Sequence, residues 1–164
     1  HGKKHNVGRA KTRRLRVILR RLTHREKVVI FARYVAEVEA IASECREMGR
    51  SVATITGATP KNDRGKIVGE FQKGRLQTIV SQIKTGGVGI DLFASCHLIV
   101  YSPTYSYIDF DQAIARVHRR GQTRKVFIHL LRAKETVDEY VYASLVRKDR
   151  RTKVVLNQLK ELTR

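Results

Sequence analysis

Five consecutive apolar residues, Val28-Val29-Ile30-Phe31-Ala32, stand between Lys27 and Arg33. A run this short, rich in β-branched residues and unbroken by polar ones, has no side to turn to water. It predicts a strand buried on both faces, the environment of a parallel sheet. The next segment is helical in pattern. Val35, Val38, Ile41, Ala42, Cys45 and Met48 recur at helical spacing and Gly49 stops the run, predicting a helix over 35–48. Further strands are predicted at 51–56, 77–81, 97–101 and 126–131, with helices at 60–72 and 108–119 and a glycine-rich turn with a short helix over 85–94. Alternating strands and helices predict an α/β fold of three layers, a mostly parallel sheet covered by helices on both faces. Ahead of this unit, Leu15, Ile18, Leu19 and Leu22 predict a short amphipathic helix over 12–22 with an arginine-loaded outer face. Residues 1–11 read as a linker or disordered arm, leaving 12–164 as the folded domain. From Glu135 onward Val137, Tyr140, Val141, Leu145, Val154, Val155 and Leu159 predict one or two closing helices.

The 164 residues suit a single domain with a real core. Against 15 acidic residues stand 34 lysines and arginines, a formal charge of +19. Self-repulsion of that size is relieved by a polyanion, which makes nucleic acid the leading partner. A membrane is not expected, because no segment is a pure basic amphipathic anchor and none approaches a spanning length. Cys45 and Cys96 form no CxxC pair and lie among apolar residues, as small core residues in a reducing compartment do. No metal site is expected. The chain starts at His1 without a methionine, so a piece of a longer protein is expected.

Ligands of an open parallel sheet bind beyond the carboxyl ends of its strands. Arg33 follows the first predicted strand, and Thr56-Gly57-Ala58-Thr59-Pro60 follows the second, with Arg64 on the next helix. Lys84-Thr85-Gly86-Gly87-Val88-Gly89-Ile90-Asp91 follows the third, and Ser102-Pro103-Thr104-Tyr105 the fourth. Hydroxyls, glycines, cations and one carboxylate thus collect on one edge. Gly86, Gly87 and Gly89 let backbone N–H groups approach a phosphate, although a plain tight turn has the same composition. Asp91 is an isolated acid in a basic stretch, where a salt bridge is the simple alternative.

The most specific string is Asp111-Gln112-Ala113-Ile114-Ala115-Arg116-Val117-His118-Arg119-Arg120-Gly121-Gln122. On a continuous helix Gln112, Arg116 and Arg119 project from one face, and two guanidiniums three residues apart suit the spreading charge of a phosphoryl group in transfer. This string resembles motif VI of superfamily 2 helicases, specifically the Swi/Snf-type DNA translocases. The stretch from Lys84 to Leu92 is similar to motif V of that family, and Lys27–Arg33 to its motif IV region. The resemblance runs from about Lys11 to Val155. The chain departs from many members at Gln82-Ile83, where they have Ser-Thr, and at Tyr105-Ser106-Tyr107, where they have Trp-Asn-Pro. The departures and the basic stem look more like phage or bacterial members than eukaryotic remodellers.

The resemblance implies a RecA-like (P-loop NTPase-like) fold and the C-terminal lobe of an ATPase that works on DNA, double- or single-stranded. It implies Arg116 and Arg119 as arginine fingers, with Gln112 orienting them or the attacking water. Gly87, Gly89 and Asp91 would face the nucleotide, the aspartate at the ribose. Arg33, Thr56, Gly57, Arg64, Lys84, Thr85 and Gly86 would line the nucleic-acid track. ATP with Mg2+ would be held mainly by an N-terminal RecA-like lobe of the same polypeptide. No G-x-x-x-x-G-K-[ST] and no D-E-x-H occurs in this chain, so alone it is expected to be inactive. A cytoplasmic or nucleoid-associated location is implied, nuclear in a eukaryote. A stand-alone basic nucleic-acid-binding module and an RNA helicase lobe remain the alternatives.

Overall fold

The apolar run forms β1 (Val28–Ala32), and all five of its residues are fully buried. The structure, a computed structural model, describes residues 2–85, 90–133 and 136–148. In chain order the remaining elements are α1 (Gly2–Arg21), α2 (Val35–Glu47), β2 (Val52–Ile55), α3 (Lys61–Gln72), β3 (Thr78–Gln82), β4 (His97–Val100), α4 (Tyr107–Val117), β5 (Phe127–Leu130) and α5 (Val137–Lys148). The strands form one sheet in the order β2-β3-β1-β4-β5, with every pairing parallel. β1 sits at the centre, Val29 opposite Ile79 on one side and Leu98 on the other.

Successive side chains of β1 point to opposite faces and enter two separate cores. Val29 and Phe31 join Ile79, Leu98, Phe71, Phe110 and Leu145, beneath α3, α4 and α5. Val28, Ile30 and Ala32 join Leu15, Ile41, Cys45, Val80 and Ile99, beneath α1 and α2. At roughly 1.5–3 kcal/mol for each fully buried large apolar side chain, this double burial is the main favourable term in folding. The three-layer α/β expectation therefore holds. Both cysteines are buried and free, and burial pushes the Cys45 thiol up to about 12.

Three expectations need correction. The stretch read as a linker or arm over 1–11 is helical from Gly2, continuous with the amphipathic segment. Its Thr12 hydroxyl donates to the Gly8 carbonyl (2.9 Å), and Lys11 is buried in an ion pair with Asp138 of α5, which ties this end of α1 to the domain. No short helix forms over 90–94. There the backbone is committed elsewhere: Leu92 N–H donates to the Arg116 carbonyl (2.9 Å), and the Asp91 carbonyl accepts from Gln72 Nε2 (2.6 Å). The helix expected over 108–119 ends at Val117, where His118 turns out of helical geometry. Of the closing helices, α5 is present, and the second (Val154, Val155, Leu159) lies outside the described residues. Among the described residues no helix is long and apolar enough to cross a membrane.

At the amino edge of the sheet two histidines stack. The His97 ring lies 5.3 Å from that of Phe127 and 6.1 Å from that of His129, and its Nε2 is 3.2 Å from Glu26 Oε1. Among the described residues, buried His97 Nδ1 and His129 Nε2 have no hydrogen-bond partner. Burial pushes both pKa values down, opposed at His97 by Glu26, and His129 falls from 6.5 to about 4. The unfolded chain therefore takes up protons first as pH falls. Stability should be full above about pH 6.5 and decline toward about pH 4, by on the order of 3 kcal/mol. Urea midpoints measured across that window check this, and His129→Phe should flatten the decline; an equally steep decline in the variant would remove the histidine from the account.

Candidate nucleotide and nucleic-acid site

Because all five strands run the same way, the loops after β1, β2, β3 and β4 emerge on one edge. Side chains then bind those loops to each other. Gln82, last residue of β3, lies between β2 and β1 in the sheet; its Nε2 donates to the Arg33 carbonyl (3.3 Å) and its Oε1 accepts from Gly57 N–H (3.4 Å). Arg64 of α3 donates from Nε to the Thr59 carbonyl (2.7 Å), from Nη1 to that of Thr85 (3.3 Å), and from Nη2 to those of Thr56 (3.3 Å) and Gly57 (3.2 Å). Ser102 accepts from Arg33 N–H (2.7 Å) and donates to Glu37 (2.5 Å), which also accepts from Tyr34 N–H (3.2 Å).

This changes the roles of several expected track residues. Arg64 is a clasp across loop carbonyls rather than a free cation for a phosphodiester. Thr56 and Thr85 are buried, and the Thr85 hydroxyl donates to the Gln82 carbonyl. Gly57 sits in the turn closed by Thr59 N–H on the Thr56 carbonyl (3.1 Å), and a Cβ there would meet only Gln82 Oε1, at 4.0 Å. Lys84 is exposed and Arg33 half-buried, so these two present polar groups to a ligand, whereas exposed Gly57 has its N–H and carbonyl engaged by Gln82 and Arg64. Gly86, Gly87 and Gly89 lie outside the described residues.

The arginine string divides. Gln112 is exposed, but Arg116 is only 7% exposed, its guanidinium 5.7 Å over the Phe31 ring. Burial lowers its pKa from the usual arginine value, with the Asp109 carboxylate opposing. Among the described residues its Nη1 is buried without a hydrogen-bond partner. Arg119 stands beyond the end of α4 and forms an exposed ion pair with Asp91. The expected common face of Gln112, Arg116 and Arg119 is therefore absent, for a reason the sequence carries. Phe110, Ala113, Ile114 and Val117 define the buried stripe of α4, and Arg116 falls on it, three residues from Ala113.

Sequence reasoning gave no role to Gln82, Gly121 or Gln122. Gly121 has φ +97°, where a side chain is strained, and an added Cβ would lie 3.7 Å from the Phe93 ring. Gln122 Nε2 donates to the carbonyls of Phe93 (3.0 Å) and Ser95 (2.7 Å), and its Oε1 accepts from Arg124 N–H (3.1 Å). The Gly-Gln end of the string is thus a turn and a staple, fastening the α4–β5 connection to the segment after Asp91.

Residues 10–121 match the model of the helicase conserved C-terminal domain. The chain is 31% identical over 137 residues to the DNA repair and recombination protein RAD54 of Oryza sativa subsp. japonica, covering 82% of this chain and 14% of that protein. It is 30% identical to the DNA repair protein RAD5B of Arabidopsis thaliana, covering 76% of this chain and 10% of that protein. Among solved structures, the C-terminal part of the Fun30 ATPase domain superposes with a TM-score of 0.68 at 27% identity, covering 72% of this chain and 38% of that one. The Hef helicase domain of Pyrococcus furiosus shares the fold, with a TM-score of 0.64 at 23% identity over 82% of this chain and 28% of that one. The chain belongs to the helicase C-terminal domain family, as a RecA-like lobe of the Swi/Snf-type branch of superfamily 2. It spans a small part of the curated relatives it matches.

Two substitutions test the staples. Gly121→Ala should cost roughly 1–2 kcal/mol through backbone strain. Arg64→Lys, which keeps the charge but loses the planar fork, should raise hydrogen exchange in the loops after β2 and β3. Urea denaturation and amide exchange read the two effects; unchanged exchange around Thr56 and Thr85 would refute the clasp.

Proposed function

We propose that this chain is the second ATPase lobe of a DNA-dependent translocase, with Arg116 and Arg119 acting on the terminal phosphate of ATP bound against a first RecA-like lobe of the same polypeptide. The observation that carries the reading is Arg116, a buried cation whose Nη1 has no hydrogen-bond partner among the described residues. Leaving such a group without a full set of partners is costly. An arriving phosphate would supply both the counter-charge and the acceptor. Arginines offered across a cleft to a transferring phosphoryl group are worth about 10³–10⁵ in rate.

Arg119 fits the second role through exchange. Its pair with Asp91 is solvent-exposed, and exposed pairs are weak, about 0–1 kcal/mol. A phosphate competes readily for this guanidinium, which frees the Asp91 carboxylate to accept from ribose hydroxyls. Gln112 would orient the attacking water, and Gly87 and Gly89 would approach the nucleotide. Mg2+ would be held mainly by the first lobe; among this chain's described residues no His, Cys, Asp and Glu cluster suits a metal ion. Arg33, Gly57, Lys84 and Gly86 would meet the nucleic-acid backbone, with Thr56, Thr85 and Arg64 shaping the loops that carry them.

Joined to a first lobe, Arg116→Ala and Arg119→Ala should each lower kcat by at least about 100-fold, with DNA affinity held within about two-fold. This chain alone should bind DNA weakly and salt-dependently and turn over no ATP above background. Unchanged ATPase with lost DNA binding would identify a basic binding module instead, the reading favoured by charge alone.

A further inference from the structure

α1 carries nine lysines and arginines between Gly2 and Arg21 and no aspartate or glutamate. Two of these cations are neutralised by acids of other elements: Lys11 is buried against Asp138, and Arg16 pairs with Glu44 and Glu47 of α2. The side chains of Arg9, Arg13, Arg14, Arg20 and Arg21 are exposed, and among the described residues they make no ion pair and no hydrogen bond. At ~100° per residue, Arg9, Arg13 and Arg20 share an arc of about 40°, and Arg14 and Arg21 lie within about 20° of each other on the same outer half of the helix. Leu15, Ile18 and Leu19 hold the opposite half in the core. Like charges one turn apart repel, and Arg9 and Arg13 do so with no acid on their own helix to offset them.

This face is distinct from the loop edge. The Thr12 hydroxyl meets Tyr101 Oη (3.1 Å) just beyond β4, whereas Leu22 stands shortly before β1. α1 therefore runs antiparallel to the strands, and its arginines lead away from the carboxyl edge over the outside of the α1–α2 layer.

Three features select the partner. All five free cations are arginines, whose planar fork matches phosphate oxygens. α1 contains no phenylalanine, tyrosine or tryptophan, so a single strand finds no ring on which to stack a base. Of the exposed large apolar side chains among the described residues, none lies on α1, so an acidic protein would meet charge without the apolar centre that protein interfaces use. From Arg9 to Arg21 the helix extends ~18 Å, a length over which a duplex carries about ten charges and one strand about half as many.

We propose that the outer face of α1 is a second nucleic-acid surface, one that binds the phosphate backbone of a duplex through Arg9, Arg13, Arg14, Arg20 and Arg21. It uses none of the loop residues and stands independently of the roles given to Arg116 and Arg119. Bound phosphates would supply the counter-charge that the helix itself lacks.

Anisotropy titrations of the 164-residue chain with a short blunt duplex over a salt series test it. Arg9→Gln/Arg13→Gln/Arg20→Gln should weaken duplex binding at least about 10-fold near 0.1 M salt and reduce the salt slope by about 2.7, or about 0.9 for each lost contact. Lys66→Gln/Lys73→Gln/Arg75→Gln, which removes the same charge from the α3 side, should leave the slope unchanged. The α1 triple should also keep or raise the urea midpoint of the free chain, because it removes repulsion. A photocrosslinker at Ala10, exposed on the same face, should label the duplex, and poly-glutamate of equal charge should not displace it. An equal loss in the α3 triple reduces the effect to net charge and overturns the surface, as does the absence of a crosslink at Ala10. Displacement by poly-glutamate would assign the face to an acidic protein and overturn the duplex.

Discussion

The pairing of β1 with both β3 and β4 is the constraint on which the other features depend. Parallel strands cannot be joined by a hairpin, so each connection must cross a face of the sheet, and each strand releases its loop on the same edge. A central strand fully buried on both faces also fixes its register, because a one-residue slip would exchange the Phe31 and Ile30 environments. With β1 fixed, Arg33 is held beside Gln82 of one neighbour and Ser102 beyond the other. The site is therefore a consequence of strand order before it is a matter of side-chain choice.

Strand order brings the loops together, and hydrogen bonds decide whether they stay. Four loops meeting at an edge expose many carbonyl and amide groups that no sheet ladder satisfies. Arg64 and Gln82 meet this need with few atoms, the guanidinium serving carbonyls of two loops and the amide serving one donor and one acceptor. Gln122 does the same near Asp91. These are polar residues whose role is local geometry, and each stands within a few residues of a group proposed to touch ligand. Substitutions at them would act on the site without any contact to what it binds.

How far the sequence was readable depends on range. Strand positions and the three layers rest on local pattern, and the run 28–32 with its helical successors carried that pattern plainly. The end of α4 coincides with a longer-range event, the capture of the Arg116 carbonyl by Leu92 N–H, a donor far upstream in the chain. Treating 108–119 as an unbroken helix put Arg119 on a face it does not occupy. The carbonyl bonds of Arg64 were illegible for a related reason. A cation on a helix after a glycine turn has the same local signature whether it grips a phosphate or a carbonyl, and only the tertiary fold brings the Thr85 carbonyl within its reach.

The two arginines of the string illustrate how one residue type is kept ready in two ways. Arg116 is held in a low-dielectric setting against Phe31, where an interaction with an anion is strong because water does not screen it. Its position is set by the apolar stripe of α4, so little conformational freedom is left to lose on binding. Arg119 is held by an exposed carboxylate instead, in a pair that screening weakens and a better anion can displace. In the first case the attraction is large and the geometry fixed in advance; in the second the attraction is modest and the partner exchangeable. The proposed nucleotide site would gain from having one of each, since two buried arginines would hold the product and two exposed ones would scarcely discriminate it from water.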